Sequence, residues 1–202
     1  MVATIVGVTV LLIIAIGVLT VMLVWKIYNR MITLRARYRN AYAQIDVQLQ
    51  RRYDLIPNLV ETAKGYLQHE RETLVAVIEA RNQAISTMEM ASSAPGNPQA
   101  MQMMSAAEAN LTGALERLFA VSKAYPQLQA NETMSTLLEE LRSTENELAF
   151  AQQGFNDAVT AYNTQRDAFP NNVVASSFNF GSAELWQDRL PEAATAPRVS
   201  FN

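Results

Sequence analysis

The residues that could do chemistry are few, and their spacing fits none of the common catalytic motifs. The chain has one histidine, His69, which is followed by Glu70, but position 73 is threonine and the two-histidine zinc protease motif fails. A di-iron bundle needs Glu-x-x-His pairs, and Tyr66 stands where that glutamate would be. The sequence also lacks a glycine-rich phosphate loop, a nucleophile elbow and any cysteine. We therefore predict no catalytic site, no metal and no cofactor.

Polar residues that interrupt the apolar faces of the predicted helices are the remaining candidates. Buried charges need partners, so we expect them to pair across helices. Fixing the register of the helices is the favoured interpretation. Two alternatives stay open: the polar residues line a hydrated groove or a surface that faces a partner, or they have a chemical role. The members of this predicted polar seam are Glu70, Arg81, Glu145, Gln152 and Arg166.

The N-terminal stretch predicts a membrane anchor. Residues 2–25 carry no charge, and three threonines alone interrupt the apolar run. As a helix this stretch is about 36 Å long, enough to cross a hydrocarbon core of about 30 Å with some tilt. A cleaved signal peptide would have a basic start and a shorter apolar core. We predict a retained single-pass anchor over residues 1–25.

Charge predicts the orientation of that anchor. Five basic residues lie between the apolar run and Asp46, and all 19 acidic residues follow position 45. The positive-inside rule then places the C-terminal domain in the cytoplasm and the N-terminus outside. The remaining 11 basic residues leave the body with a net charge of −8, which argues against nucleic-acid binding. The predicted membrane-interface residues are Trp25, Lys26, Tyr28 and Arg30.

Apolar spacing predicts an all-α fold, an elongated antiparallel four-helix bundle over residues 26–170. The first helix continues from the anchor and ends near Tyr53. The second runs from Leu55 to the breaker run that starts at Ser92. The third lies between that loop and Pro126, and Asn131 caps the fourth, which ends at Pro170. The apolar positions keep a seven-residue period, which predicts left-handed, coiled-coil-like packing.

The predicted turn between the first two helices rests on two residues. Asp54 precedes Leu55 and is able to cap a helix N-terminus, and Pro57 suits a first helical turn. These features predict a hairpin at residues 54–57. Turn chemistry is the favoured interpretation, and a binding surface built on Arg51 and Arg52 is the alternative.

The C-terminal stretch, residues 171–202, differs in composition from the bundle. It alternates aromatic and small residues and then becomes an Ala/Pro-rich tail. Its aromatic residues either cap the open end of the bundle or dock onto a neighbouring subunit or the membrane surface. The predicted subunit-contact residues are Phe178, Phe180, Leu185 and Trp186.

Three separated motifs resemble the LemA family. They are QIDVQLQRRYDLIPNLVETAKGY with the following QHE, STENELAFAQQGFNDAVTAYN, and FPNNVVASSFNF. With the N-terminal anchor, the similarity extends over nearly the whole chain. It implies an elongated helical bundle. It also implies a link to membranes, because a LemA-like protein takes part in forming magnetosome membranes, but it supplies no enzymatic activity.

Two functions are consistent with these features. The favoured hypothesis is a non-enzymatic scaffold of the bacterial inner (plasma) membrane that self-associates and organises membrane or recruits partner proteins. Its expected partners are the lipid bilayer, further copies of the chain and an unidentified membrane or cytoplasmic protein. The alternative is a transmembrane sensor or signalling adaptor that passes helix movements to cytoplasmic partners. An enzyme or enzyme accessory is the least favoured hypothesis.

Overall fold

The computed structural model describes residues 1–187 and contains no β-strand within that range. Four long helices and two short ones follow one another along the chain, so the predicted all-α bundle is confirmed. Helix α1 packs against α5 and α2, and α2 packs against α3. The helices are α1 (Val2–Lys64), α2 (Arg71–Ser93), α3 (Pro98–Ser122), α4 (Pro126–Gln129), α5 (Glu132–Asp167) and α6 (Asn171–Ser177).

Helix α1 is both the candidate anchor and the first helix of the bundle. It has 63 residues and is therefore about 95 Å long. The uncharged N-terminal stretch of α1 is largely exposed. Within the described part of the chain, α1 is the one helix that is long and apolar enough to span a membrane. From Ile27 to Ala63, a residue at every third or fourth position is buried in the core, which confirms the predicted continuity.

The predicted hairpin at residues 54–57 is wrong, because α1 continues through Pro57 and ends at Lys64. The buried face of α1 extends beyond the proline through Ile56, Leu59 and Ala63, and packing therefore outweighs the local turn signal. Asp54 caps no helix; it is exposed and accepts a hydrogen bond from Gln50 at 2.9 Å. The real turn occupies residues 65–70, and α2 begins at Arg71 rather than at Leu55.

A hydrogen bond from α2 explains how α1 accommodates the proline. Pro57 has no backbone N–H, so the carbonyl of Tyr53, four residues earlier, loses its helical donor. The Nε of Arg81 on α2 donates to that carbonyl oxygen at 2.7 Å. The break in the ladder of α1 thus becomes a point of attachment for α2.

Side chains cap α3 and α5 at their starts. The side chain of Asn131 accepts a hydrogen bond from the N–H of Met134 at 2.9 Å, as expected for the cap of the last long helix. Asn97 accepts in the same way from Ala100 at 3.1 Å, so α3 begins directly after the glycine and proline loop. Helix α5 ends at Asp167, before Pro170.

The C-terminal segment, residues 178–187, packs back along the bundle without forming a further helix or strand. Asn163 of α5 accepts a hydrogen bond from the N–H of Ala183 at 3.0 Å and donates to the carbonyl of that residue at 2.8 Å. Asn156, two turns earlier in α5, accepts a hydrogen bond from the N–H of Trp186 at 2.8 Å and donates to the carbonyl of that residue at 3.1 Å. Two asparagine side chains therefore pair with the backbone of the segment as a neighbouring strand would. The rest of the predicted C-terminal stretch, residues 188–202, lies outside the described residues.

The α2–α3 loop meets the middle of this segment. Gly96 has φ +82° and lies against Tyr38 of α1 and Ala183. Its carbonyl accepts a hydrogen bond from the N–H of Glu184 at 2.8 Å. Helices α1 and α5 extend past this loop toward the anchor, beyond the reach of α2 and α3. Helix α6 and the C-terminal segment pack against this part of α1 and α5.

Gly96→Ala should loosen the C-terminal segment. The new Cβ would lie 2.9 Å from the Cβ of Ala183, and the positive φ is unfavourable for an L-residue by about 1–2 kcal/mol. We expect the free energy of unfolding to fall by about 1–3 kcal/mol. We also expect faster amide hydrogen exchange at residues 183–186, measured by mass spectrometry on the detergent-solubilised chain.

Gly154→Ala is the matched control. Gly154 lies within α5, where an added Cβ meets no heavy atom within 4 Å. This change should raise the free energy of unfolding by about 0.5–1 kcal/mol and leave exchange in the C-terminal segment unchanged. Wild-type exchange rates in the Gly96→Ala variant would contradict the described docking.

Candidate functional site

The strongest polar site in the described chain is an ionic cluster inside the bundle. Helix α1 supplies Arg52 and Tyr53, helix α3 supplies Glu108 and Thr112, and helix α5 supplies Glu145. Glu108 and Thr112 are four residues apart and so lie on one face of α3. The residue Arg52 is only 4% exposed. Three helices therefore meet around one buried guanidinium, and we call these five residues the ionic cluster.

The guanidinium of Arg52 contacts two other helices. Its Nη1 lies 3.0 Å from Oε2 of Glu108, which is also buried. Its Nη2 donates to the hydroxyl of Thr112 at 3.0 Å and lies 3.4 Å from Oε1 of Glu145. Glu145 is about half exposed, so its carboxylate joins the cluster to the surface. The arrangement fixes α1, α3 and α5 relative to one another.

The second oxygen of Glu108 is held by a phenol. The hydroxyl of Tyr53 donates a short hydrogen bond to Oε1 of Glu108. Burial and the adjacent carboxylate raise the pKa of Tyr53, so its phenol remains a donor at neutral pH. Burial also raises the pKa of Glu108, and the charge of Arg52 with the Tyr53 hydrogen bond offsets part of that rise. Both carboxylate oxygens are engaged, and neither is directed toward a reacting group.

A second polar contact lies two to three turns nearer the membrane end of α1. Ser92 of α2 donates to the carboxylate of Asp46 at 2.7 Å, and Tyr42 donates to the sulfur of Met104 on α3 at 3.0 Å. Burial raises the pKa of Asp46, and the hydrogen bond from Ser92 offsets part of that rise. These groups tie α1 to α2 and α3 in the same way as the ionic cluster ties it to α3 and α5.

The structure does not bring the predicted polar seam together. Glu145 joins the ionic cluster and Arg81 bonds the carbonyl of Tyr53. Arg166 donates to the carbonyl of Phe180 at 2.7 Å and pairs with its neighbour Asp167. Gln152 is buried in α5, and Glu70 lies half-buried at the N-cap position of α2 without a capping bond from its side chain. The five residues are spread along the bundle.

Sequence reasoning missed the pairing of Arg52 with Glu108. It names Arg52 only with Arg51, as an alternative binding surface beside the predicted turn, because the first helix is predicted to end near Tyr53. Glu108 stands between Met104 and Leu111, at the three- and four-residue spacing of the buried face of α3. A lone carboxylate in such a face was the available signal for a buried partner of opposite charge.

The predicted membrane-interface residues lie where α1 leaves its exposed apolar stretch and enters the bundle. Trp25, Lys26 and Arg30 are exposed. Tyr28 is half-buried, and the rings of Phe178 and Phe180 contact it edge-on with centroids 5.1 and 5.6 Å away.

Two of the four residues predicted for subunit contact are buried inside their own chain. Phe180 lies under the guanidinium of Arg35, 4.4 Å from its ring centroid, and Trp186 packs against the bundle. This packing corrects the prediction that Phe180 and Trp186 make subunit contacts, because both rings pack on the face of α1 and α5 that α2 and α3 leave uncovered. Phe178 and Leu185 keep substantial exposed surface.

His69 is exposed at the end of the bundle farthest from the anchor. Across residues 1–187, no group of three or more His, Asp or Glu side chains is arranged to hold a metal ion.

Comparison with known families covers most of the chain. A sequence model described as the LemA family matches residues 41–201. The chain belongs to the LemA family. This match confirms the resemblance drawn from the three motifs, and it includes the ionic cluster, the α2–α3 loop and the C-terminal segment.

This LemA-family chain is also similar to curated magnetosome proteins. It is 23% identical over 177 residues to magnetosome proteins MamQ 1 and MamQ 2 of Paramagnetospirillum magneticum. It is 22% identical over 177 residues to magnetosome protein MamQ of Magnetospirillum gryphiswaldense. Each match covers 80% of this chain and 65% of the relative, so the chain spans about two thirds of the length of those proteins.

Breaking the buried pair from one side should destabilise the bundle strongly. Arg52→Met and Glu108→Leu each leave one charge buried without its main partner, which typically lowers the free energy of unfolding by about 3–5 kcal/mol. The double variant should lose much less than the sum of the two, because no unpaired charge remains. Chemical denaturation of the detergent-solubilised chain, followed by helical circular dichroism, measures all three.

An exposed ion pair between α1 and α5 is the control. Arg51 of α1 and Glu147 of α5 lie 3.6 Å apart, and each side chain is about half exposed. Arg51→Met and Glu147→Leu should change the free energy of unfolding by less than about 1 kcal/mol. If the Arg52→Met and Glu108→Leu losses in the free energy of unfolding simply added in the double variant, the described pairing would be contradicted.

Proposed function

We propose that this LemA-family chain is a non-enzymatic, membrane-anchored scaffold that associates with copies of itself and organises membrane or recruits partner proteins. Helix α1 carries this proposal, because one continuous helix is apolar and largely exposed over residues 2–25 and has one face buried in the bundle from Ile27 onward. A rigid connection of this kind suits a protein that holds a rod at a fixed position on a membrane. The magnetosome relatives support a role linked to a membrane compartment.

The proposed orientation places the bundle in the cytoplasm of a bacterium, beside the inner membrane. Lys26, Arg30, Arg35, Arg37 and Arg39 follow the apolar stretch of α1, and cytoplasmic flanks carry such an excess of basic residues. Exposed Lys26 and Arg30 would lie at the level of the lipid headgroups, where anionic lipids attract them. The lipid bilayer is thus the first partner in this proposal.

The ionic cluster supports a structural role over a catalytic one. Its main charge pair is buried, and both oxygens of Glu108 are occupied by Arg52 and Tyr53. Groups held in this way fix the helices in one register. A catalytic site would instead need a polar group placed to meet a substrate.

Self-association has a candidate surface on α1 and α5. Arg51 of α1 and Glu147 of α5 form an ion pair. Val47 lies one turn from Arg51, and Phe150 lies nearly one turn from Glu147. Because α1 and α5 are antiparallel, both displacements run toward the membrane end, so Val47 and Phe150 share one face. Phe150 is 75% exposed, and Val47 is exposed as well. Large apolar side chains placed together on a surface favour contact with another protein surface.

The unbroken α1 also favours a second function, a transmembrane adaptor. A helix continuous from bilayer to bundle would pass a rotation or shift of the anchor to α2 and α5. Such an adaptor needs no contact between copies, so the oligomeric state separates it from the scaffold.

Removing the shared apolar face should weaken self-association. We expect the wild-type chain to form oligomers at micromolar concentration in mild detergent, measured by light scattering after size-exclusion chromatography. Val47→Ser with Phe150→Ser should raise the concentration needed for assembly by about tenfold or more, because burying one large apolar side chain contributes about 1.5–3 kcal/mol.

Met103→Ser on α3 is the control, because Met103 is a similarly exposed apolar side chain on a helix outside this face. It should leave the assembly unchanged. A wild-type chain that stays monomeric at micromolar concentration would overturn the scaffold proposal and favour the adaptor.

A further inference from the structure

The end of the bundle nearest the anchor exposes apolar side chains that the core does not use. Residues 168–183 contain no Asp, Glu, Lys or Arg. Within them, Phe169 is 83% exposed, Val173 57% and Phe178 50%. We call these three residues the basal apolar cluster. Such exposure of two aromatic rings and a valine in an uncharged stretch marks a contact surface.

Helix α6 divides its residues between the core and this surface. Asn171, Val174 and Ala175 are buried against the bundle, and α6 packs on both α1 and α5. Asn171 also donates to the carbonyl of Gln165 at 2.9 Å, which fixes the helix to the end of α5. Val173 therefore faces outward from a helix whose other side is already packed, and the exposure belongs to the folded arrangement.

The basal apolar cluster is continuous with the candidate anchor. The ring of Phe178 contacts Tyr28 with centroids 5.1 Å apart. Phe178 also lines an open apolar groove of about 360 Å³, and the other lining residues all belong to α1: Thr20, Val21, Val24, Trp25 and Tyr28. The uncharged stretch of α1 ends at Trp25. Phe178 is therefore level with the last turn of the apolar span, where the hydrocarbon meets the headgroups.

We propose that the basal apolar cluster enters the lipid bilayer interface beside the anchor and gives the bundle a second membrane contact. Apolar and aromatic side chains on one side of a short amphipathic element bind at this depth. Exposed Lys26 and Arg30 on the adjoining turns of α1 attract the anionic headgroups around it. With a single anchor helix, the anchor and the bundle remain free to rotate and tilt together in the bilayer. With the second contact, α6 faces the membrane and the bundle keeps one orientation on its surface.

This proposal rests on the proposed membrane anchor and does not depend on self-association. The competing occupant of the basal apolar cluster is a second copy of the chain. Lipid and a second copy of the chain can be distinguished with a probe attached to the cluster. Lipid admits molecular oxygen to the probe, whereas a protein contact excludes both oxygen and water-soluble reagents.

Spin labels test the depth of the cluster directly, because the chain has no native cysteine. Single variants Phe169→Cys, Val173→Cys and Phe178→Cys would be labelled in the full-length chain. They would be reconstituted in vesicles of equal parts phosphatidylcholine and phosphatidylglycerol. Ile13→Cys, midway along the apolar stretch, is the lipid reference, and Met103→Cys on α3 is the aqueous reference. Power saturation with oxygen and with a water-soluble nickel chelate gives the ratio of the two accessibilities.

We expect oxygen-to-nickel ratios at the three cluster positions that are several-fold above that at Met103 and below that at Ile13. Ratios at Phe169 and Val173 equal to that at Met103 would overturn the second contact while leaving the anchor intact. Low accessibility to both reagents would overturn it in favour of a second copy. An aqueous ratio at Ile13 would overturn the membrane anchor itself. Phe178 contacts Tyr28, so Phe169 and Val173 decide the result if the label at Phe178 disturbs that packing.

Discussion

The continuity of α1 as a single helix is the constraint on which the rest of the structure depends. This helix carries the exposed apolar stretch at one end and a continuous buried face at the other, so anchor and bundle share one axis. Its ladder loses a donor at Pro57, and Arg81 supplies the replacement from α2. Helix α5 packs along the bundle part of α1, and the C-terminal segment contacts α1 nearer the membrane. Helices α2, α5 and α6 pack directly on α1, and α3 packs on α2.

Polar contacts set the register of the helices around this axis. A bundle rich in alanine and methionine specifies helix positions weakly, because such side chains fit several packings. The Arg52 and Glu108 pair admits one alignment of α1 with α3, and Glu145 extends it to α5. At the other end, Asn156 and Asn163 hold the backbone of the C-terminal segment in one register. Both sites use buried or half-buried polar groups for alignment.

Local signals in the sequence predicted the anchor, the long helices and the Asn131 cap, because each depends on composition, periodicity or neighbouring residues. The end of α1 was predicted wrongly, since Asp54 and Pro57 resemble a helix start. The contact that completes the helix comes from Arg81, 28 residues after Tyr53. The Arg52 and Glu108 pair joins residues 56 apart. The asparagine contacts with Ala183 and Trp186 likewise exist only after folding. Neither periodicity nor capping rules carry such tertiary information.

The rigidity of α1 across the junction between anchor and bundle is the central claim, and one distance tests it most directly. Nitroxide labels at Leu19→Cys and Gln44→Cys lie on exposed positions on either side of the junction. In an unbroken α-helix their separation along the axis is about 38 Å. Double electron–electron resonance on labelled chains diluted with unlabelled chains in vesicles should give one narrow distribution near that value. A broad distribution or a shorter distance would reveal a hinge between anchor and bundle and contradict this account.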